Sequence, residues 1–274
     1  MSRIHILKGF SDVNSALWVL KYHPGPRSRS DLVQIVRDKG YMVANEDYEI
    51  ILLLIKWGIA RRTPSELTHK GKEFYALWER NRDVAIDVLH GLQYGLWTKH
   101  LRTQNTESWS YREVCNYLWD SDALPEKGDV ISHIYNSLSD LEIDPEKAAF
   151  DGKSVNHAYD WLSRLSPLVL EEVRETANGR NFTNATFKRR SHCSTALFLM
   201  GLDWVARESG NIYGDLWMIG EEQRRQICRF CLIDEARFDF MFNETLRRFS
   251  VYLSVRRSGG LYIVINNEPQ ISNF

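Results

Sequence analysis

Cys228 and Cys231 have the C-x-x-C spacing of half a zinc site, and His192-Cys193 could supply two more ligands. The pair lies inside the apolar-periodic run from Ile227 to Ile233, where residues three apart are neighbours on one buried helix face. A zinc knuckle needs a turn, so reduced core thiols are expected. Asp144, Glu146 and Lys147 are residue types that gather around a metal in hydrolytic centres, but Pro145 splits them and no strand frames them, which makes a solvated loop the expectation. His157 and Asp160 stand at i and i+3, a spacing that suits a surface ion pair and falls short of a catalytic dyad without a nucleophile. The chain has no G-x-S-x-G, no phosphate-binding glycine loop and no dinucleotide fingerprint. These absences point to a non-enzyme without a cofactor or metal.

The remaining chemistry is that of cations. Lys188-Arg189-Arg190, Arg247-Arg248 and Arg256-Arg257 fall late in the chain, and Arg61-Arg62, His69, Lys70 and Lys72 fall early. Such pairs and triplets neutralise phosphates, and Tyr262 beside the late pair adds a ring on which a base could stack. Arginines at a helix end also complement its dipole, an equal explanation for Arg247-Arg248. The formal charge of -1 hides an uneven distribution. Residues 1–100 hold 15 Lys and Arg against 11 Asp and Glu, residues 101–178 hold 7 against 15, and residues 179–274 hold 13 against 10.

Positioning these groups falls to helices and two hairpins. Val13 to Lys21 has the apolar spacing of a helix, which His23-Pro-Gly-Pro-Arg-Ser-Arg-Ser30 interrupts. Ser30 is the expected N-cap of a second helix through Lys39, with Asp31 in its first turn and Gly40 at its end. A third helix is expected after Asn45, with Glu46, Asp47 and Glu49 at its start and Trp57-Gly58 at its end. Ile59 to Thr63 and Glu66 to Thr68, joined at Pro64-Ser65, read as a small hairpin, followed by one long helix from His69 or Lys70 to about Leu101.

The order helix, helix, helix, hairpin, helix, with Ile55-Lys56-Trp57-Gly58-Ile59 and Leu67-Thr68-His69-Lys70-Gly71, resembles the winged helix-turn-helix superfamily over the first third of the chain. The resemblance implies a third helix laid in the major groove and a wing on phosphates. Glu46, Asp47 and Glu49 would set carboxylates against that polyanion, so contact is expected from the wing instead.

Residues 104–178 read as an acidic helical region without strands. Ser110-Tyr111-Arg112-Glu113 is a capping-box candidate, and Asp120, Asp122, Glu126, Asp129, Asp140, Glu142, Asp144 and Glu146 are assigned to the connections. Residues 179–274 begin with a polar connector and continue as helices over 195–207, 221–233 and 235–249. The alternation of Ser250 to Val255, the turn Arg256 to Gly260 and the return Leu261 to Ile265 then form a hairpin, a candidate second winged helix. The expected fold is mainly α with small β-hairpins: a winged-helix domain over 1–103, an acidic helical region over 104–178, and a helical domain ending in a hairpin over 179–274.

Trp18, Trp57, Trp78 and Trp97 are expected to fill the core. The longest aliphatic run, Ile50 to Ile55, is far too short for a membrane span, and the first residues do not read as a signal peptide, so a cytoplasmic protein is expected. The expected function is phosphate-directed binding of double-stranded DNA, as a regulator or as the DNA-engaging subunit of a larger complex. The alternative is an adaptor that uses its winged helices to assemble with a protein partner or with itself.

Overall fold

The computed structural model describes residues 10–43, 48–98, 105–121, 123–176, 179–257 and 259–274. The chain is mainly helical with small antiparallel sheets. Among the described residues no helix is long and apolar enough to cross a membrane.

Helix α1 (Val13–Tyr22) buries Val13, Ala16, Leu17 and Leu20, as their spacing requires. Helix α2 (Arg29–Asp38) starts two residues earlier than expected, because Ser28 and not Ser30 caps it. The Ser28 hydroxyl accepts the Asp31 amide at 3.1 Å, and the Asp31 carboxylate accepts the Ser28 amide at 2.9 Å, a reciprocal capping box. Helix α3 (Ile50–Lys56) is short and almost wholly apolar, with Ile50, Ile51, Leu53 and Leu54 buried. The expected cap at Asn45, with Glu46 and Asp47, lies outside the described residues. Gly58 follows at φ +71°, a conformation that favours glycine.

Strands β1 (Ala60–Arg61) and β2 (Glu66–Leu67) pair antiparallel, and Gly25 bridges Ser65 beside them. Thr68 fastens this hairpin to the helix that follows. Its hydroxyl accepts the Gly71 amide at 3.0 Å as N-cap of α4 (His69–Arg80), and it donates to the Gly58 carbonyl at 2.6 Å. A Cβ on Gly71 would collide with the Ile59 carbonyl group, its carbonyl carbon being 2.8 Å away. The Leu-Thr-x-Lys-Gly sequence therefore has a local reason: a threonine that caps and a glycine that lets the helix start against a strand.

The single long helix expected to reach Leu101 is two. Asn81 leaves helical geometry at φ -151°, its amide still closing α4 on Leu77 while its side chain accepts the Val84 amide at 3.3 Å to start α5 (Arg82–Gly95). One residue ends one helix and caps the next.

The middle of the chain holds α6 (Thr106–Asp120), α7 (Lys127–Asn136) and α8 (Gly152–Leu162). The capping box expected at Ser110 to Glu113 instead lies inside α6. The expectation of no strands fails as well. Strand β3 (Leu170–Glu171) pairs with β6 (Thr186–Phe187), and β4 (Arg174–Thr176) pairs with β5 (Gly179–Asn181). These strands are two or three residues long, too short to show the alternation by which a strand is read. A boundary drawn between 178 and 179 falls between β4 and its partner β5.

The last third contains α9 (Thr195–Glu208), β7 (Leu216–Met218), α10 (Glu221–Cys231), α11 (Phe238–Arg248), β8 (Leu253–Arg257) and β9 (Leu261–Ile265). The three strands form one antiparallel sheet in the order β7-β9-β8. Three helices followed by a hairpin thus occur three times: α1 to α3 with β1-β2, α6 to α8 with β3 to β6, and α9 to α11 with β8-β9. Helix α5 joins the three units, packing against α4, α6, α9 and α10. Trp57, Trp78 and Trp97 are buried and Trp18 packs half-buried against the same core.

Candidate nucleic-acid interface

The cations singled out in the sequence do not share one fate. Arg190 is removed from the surface altogether: its side chain is fully buried, its Nη1 donates to Asp87 Oδ1 at 2.7 Å, and its Nη2 and Nε donate to the Cys231 carbonyl at 2.6 and 3.2 Å. Burial opposes the charge, but Asp87 together with the nearby Cys193 and Cys231 holds the guanidinium above its ordinary pKa. Arg190 is a structural cation and contacts no phosphate. Its neighbour Arg189 is half-buried, donating to the Trp119 carbonyl at 2.9 Å with its guanidinium over the Trp119 ring. Lys188 is exposed and stands 3.7 Å from the Glu171 carboxylate across the β3-β6 pair.

Arg248, Arg247, Arg61 and His69 are tied within the chain, and Lys70 is not. Arg248 donates to the Phe274 backbone oxygen at 2.7 Å and lies over the Phe249 ring, a packing role at the end of α11. Arg247 pairs with Glu244 one turn back, and Arg61 pairs with Glu66, its partner across the first hairpin. Lys70 faces a cavity, and desolvation lowers the pKa of its ammonium. His69 is exposed and reaches Glu73 at 3.4 Å.

Arg62, Lys72, Arg256 and Arg257 are exposed and make no ion pair among the described residues. They stand on or beside the first and last hairpins. Arg27, which the sequence reading passed over, joins Arg62: the Ser65 hydroxyl lies 3.3 Å from the Arg27 carbonyl and 3.2 Å from the Arg62 carbonyl. The signal was present in the basic His23 to Ser30 segment, read there only as a helix breaker.

The helices preceding the hairpins differ sharply. Helix α3 offers bases nothing: its only polar side chain is Lys56, which pairs with Glu107. Helix α11 exposes Phe240, Asn243 and Arg247, separated by three and four residues and so on one face. The hairpin reaches that face, since Arg257 Nη2 donates to Asn243 Oδ1 at 3.3 Å. Arg224 of α10 pairs with Asp239 beside them at 3.2 Å. No family model matches the chain, and no curated protein or solved structure matches it either.

Cross-strand pairing sets Met218, Tyr262 and Arg256 in one row on the outer face of the last sheet, with Leu216, Val264 and Ser254 in the next. Tyr262 thus stands beside Arg256, as a stacking role requires.

The acidic middle is partly spent inside the molecule. Asp120 ends α6 and does not lie in a connection, and its carboxylate meets Arg225 at 3.1 Å and Arg229 at 2.6 Å on α10. Asp144 caps a short turn by accepting the Glu146 amide at 3.1 Å, and Asp160 pairs with Arg164 at 3.0 Å. Asp122 lies outside the described residues. Cys115, Cys193, Cys228 and Cys231 are free and buried. Desolvation pushes the thiols of Cys115, Cys228 and Cys231 far up, so they resist ionisation and reaction.

Proposed function

We propose that this chain binds double-stranded DNA through its third unit, as a winged helix with α11 presented to the major groove and the β8-β9 turn as its wing. The carrying observation is the exposed Phe240, Asn243 and Arg247 face joined to the hairpin by the Arg257-Asn243 hydrogen bond. Asparagine and arginine are the side chains that bond adenine and guanine edges in two places at once, and Arg256 and Arg257 lie where a wing meets phosphates. The first unit adds Arg27, Arg62 and Lys72 as phosphate contacts, without base reading from α3. The order of three helices and a hairpin in all three parts supports a chain of winged-helix modules.

The test is a salt titration of binding to labelled duplex DNA. Neutralisation of about five phosphates, by Arg27, Arg62, Lys72, Arg256 and Arg257, gives a slope of log affinity against log salt near -4.5. Replacing both Arg256 and Arg257 with alanine lowers that slope by about 2. Asn243→Ala leaves the slope alone and flattens the preference among duplex sequences by about 1–3 kcal/mol. Binding that ignores salt, or a slope unchanged in the double variant, rejects the proposal.

One observation favours an adaptor instead. Leu216 and Met218 stand about half exposed on the outer face of edge strand β7, with Ile212 more exposed nearby. A stable oligomer or partner complex that survives nuclease treatment, seen by light scattering and mass spectrometry, would put that face to use and displace DNA as the ligand.

A further inference from the structure

A cavity of about 470 Å³ lies where the first unit meets α5, α9 and the segment from Glu268 to Phe274. That volume is in the range that holds a small organic molecule. Its apolar lining combines the rings of Trp57, Trp204, Phe230 and Phe274 with Leu92 and Leu96. Trp204 and Phe230 stand with ring centroids 5.6 Å apart, and Trp57, 2% exposed, has an indole N–H with no hydrogen-bond partner among the described residues. A buried donor without an acceptor costs free energy that a bound acceptor would recover.

The charged groups around the cavity divide into satisfied and unsatisfied ones. Lys56 pairs with Glu107, Arg207 with Asp203 at 2.7 Å, and His69 with Glu73. Lys70 and Glu268 line the same space, and neither makes an ion pair among the described residues, with each other or with any other group. The two groups are of opposite charge and near enough to act on each other. Desolvation lowers the Lys70 pKa, and the Glu268 charge works against that shift. Burial raises the Asp203 carboxyl even beside Arg207, and the Glu268 charge adds to the rise.

We propose that this cavity binds a free α-amino acid with an apolar or aromatic side chain, its carboxylate at Lys70, its ammonium at Glu268 and its side chain against Trp204 and Phe230. A neutral hydrocarbon would leave both charges unanswered, and a simple carboxylate would answer one. The occupant touches the first unit through Trp57 and Lys70 and the third through α9 and Glu268, so it bears on how those units are held together. The site does not depend on whether the chain binds DNA.

Isothermal titration of the whole chain with L-phenylalanine and L-leucine tests the proposal, with 3-phenylpropionate and phenethylamine as analogues lacking one charge each. Saturable binding is expected for at least one of the two amino acids at up to about 10 mM, and about tenfold weaker binding for either analogue. Lys70→Met and Glu268→Gln, both on exposed side chains, are expected to weaken amino-acid binding about tenfold with unchanged thermal melting. No saturable heat from either amino acid, equal binding of an analogue, or variants that bind as the parent does would each overturn it.

Discussion

Arg190→Met removes the guanidinium that the structure buries at the joint between α5 and the segment leading into α9. The side chains of Arg190 and Asp87 are 0% and 2% exposed. Asp87 divides its carboxylate between Arg190 Nη1 and the Ser194 amide, each at 2.7 Å. With methionine in place, Asp87 keeps the Ser194 amide alone, and the Cys231 carbonyl loses two donated N–H groups. Taking away one partner of a buried pair costs about 3–5 kcal/mol, because the other charge stays buried without compensation. Against a total stability of about 5–15 kcal/mol, that is a large share.

Urea unfolding at neutral pH, followed by circular dichroism and tryptophan fluorescence, should show the unfolding free energy fall by this amount, read as a lower midpoint at unchanged slope. Adding Asp87→Leu to Arg190→Met should recover much of the loss, since the stranded carboxylate is then gone and the site is apolar. Arg256→Ala, on an exposed side chain, should stay within about 0.5 kcal/mol of the parent. An Arg190→Met protein as stable as the parent but weaker on duplex DNA would refute the assignment and return Arg190 to the surface.

Gly71→Ala should destabilise the chain by about 3 kcal/mol or more, because the new methyl meets the Ile59 carbonyl group rather than a side chain that can turn aside; unfolding by urea measures it, and a loss below about 1 kcal/mol would contradict the packing. His90 is buried, its Nε2 donating to the Phe230 carbonyl and its Nδ1 accepting from the Tyr111 hydroxyl, each at 2.8 Å. Desolvation, with the Arg190 charge, lowers its pKa from 6.5 to about 4. The unfolded chain therefore takes up the proton first. Stability is retained above about pH 6.5 and falls by about 3 kcal/mol as pH drops toward 4. His90→Gln should remove that component from the difference between melts at pH 7 and pH 4.5, and an unchanged difference would sink the assignment.

What could be read from the sequence was local. The first unit announced itself because its helices end on Gly40 and Gly58 and because Leu-Thr-x-Lys-Gly encodes both a cap and a close approach within a few residues. The last hairpin was visible because its strands are five residues long and alternate. What escaped was short or distant. Strands β3 to β7 have two or three residues each, and the break at Asn81 rests on one side chain caught between two good helical stretches. The first interface residue to be lost, Arg190, depends on Asp87, which lies 103 positions away. Nothing near Lys188-Arg189-Arg190 distinguishes the arginine that turns inward from the lysine that does not.

Charge was the least transferable part of the sequence reading, for the same reason. The sequence marks an acidic region in the middle of the chain, yet Asp120 answers Arg225 and Arg229 on α10, and Glu171 faces Lys188. Those contacts set middle-unit carboxylates against cations of the following third, so part of the asymmetry along the sequence cancels where the units touch. Among the described residues Arg62, Arg256 and Arg257, on the first and last hairpins, make no ion pair, whereas Arg61 of the first hairpin pairs with Glu66. In the basic triplet, by contrast, Lys188 meets Glu171, Arg190 meets Asp87, and Arg189 is held by the Trp119 carbonyl and ring. A hairpin tip is also the position from which a cation can approach a phosphate without carrying the acidic surface behind it into contact.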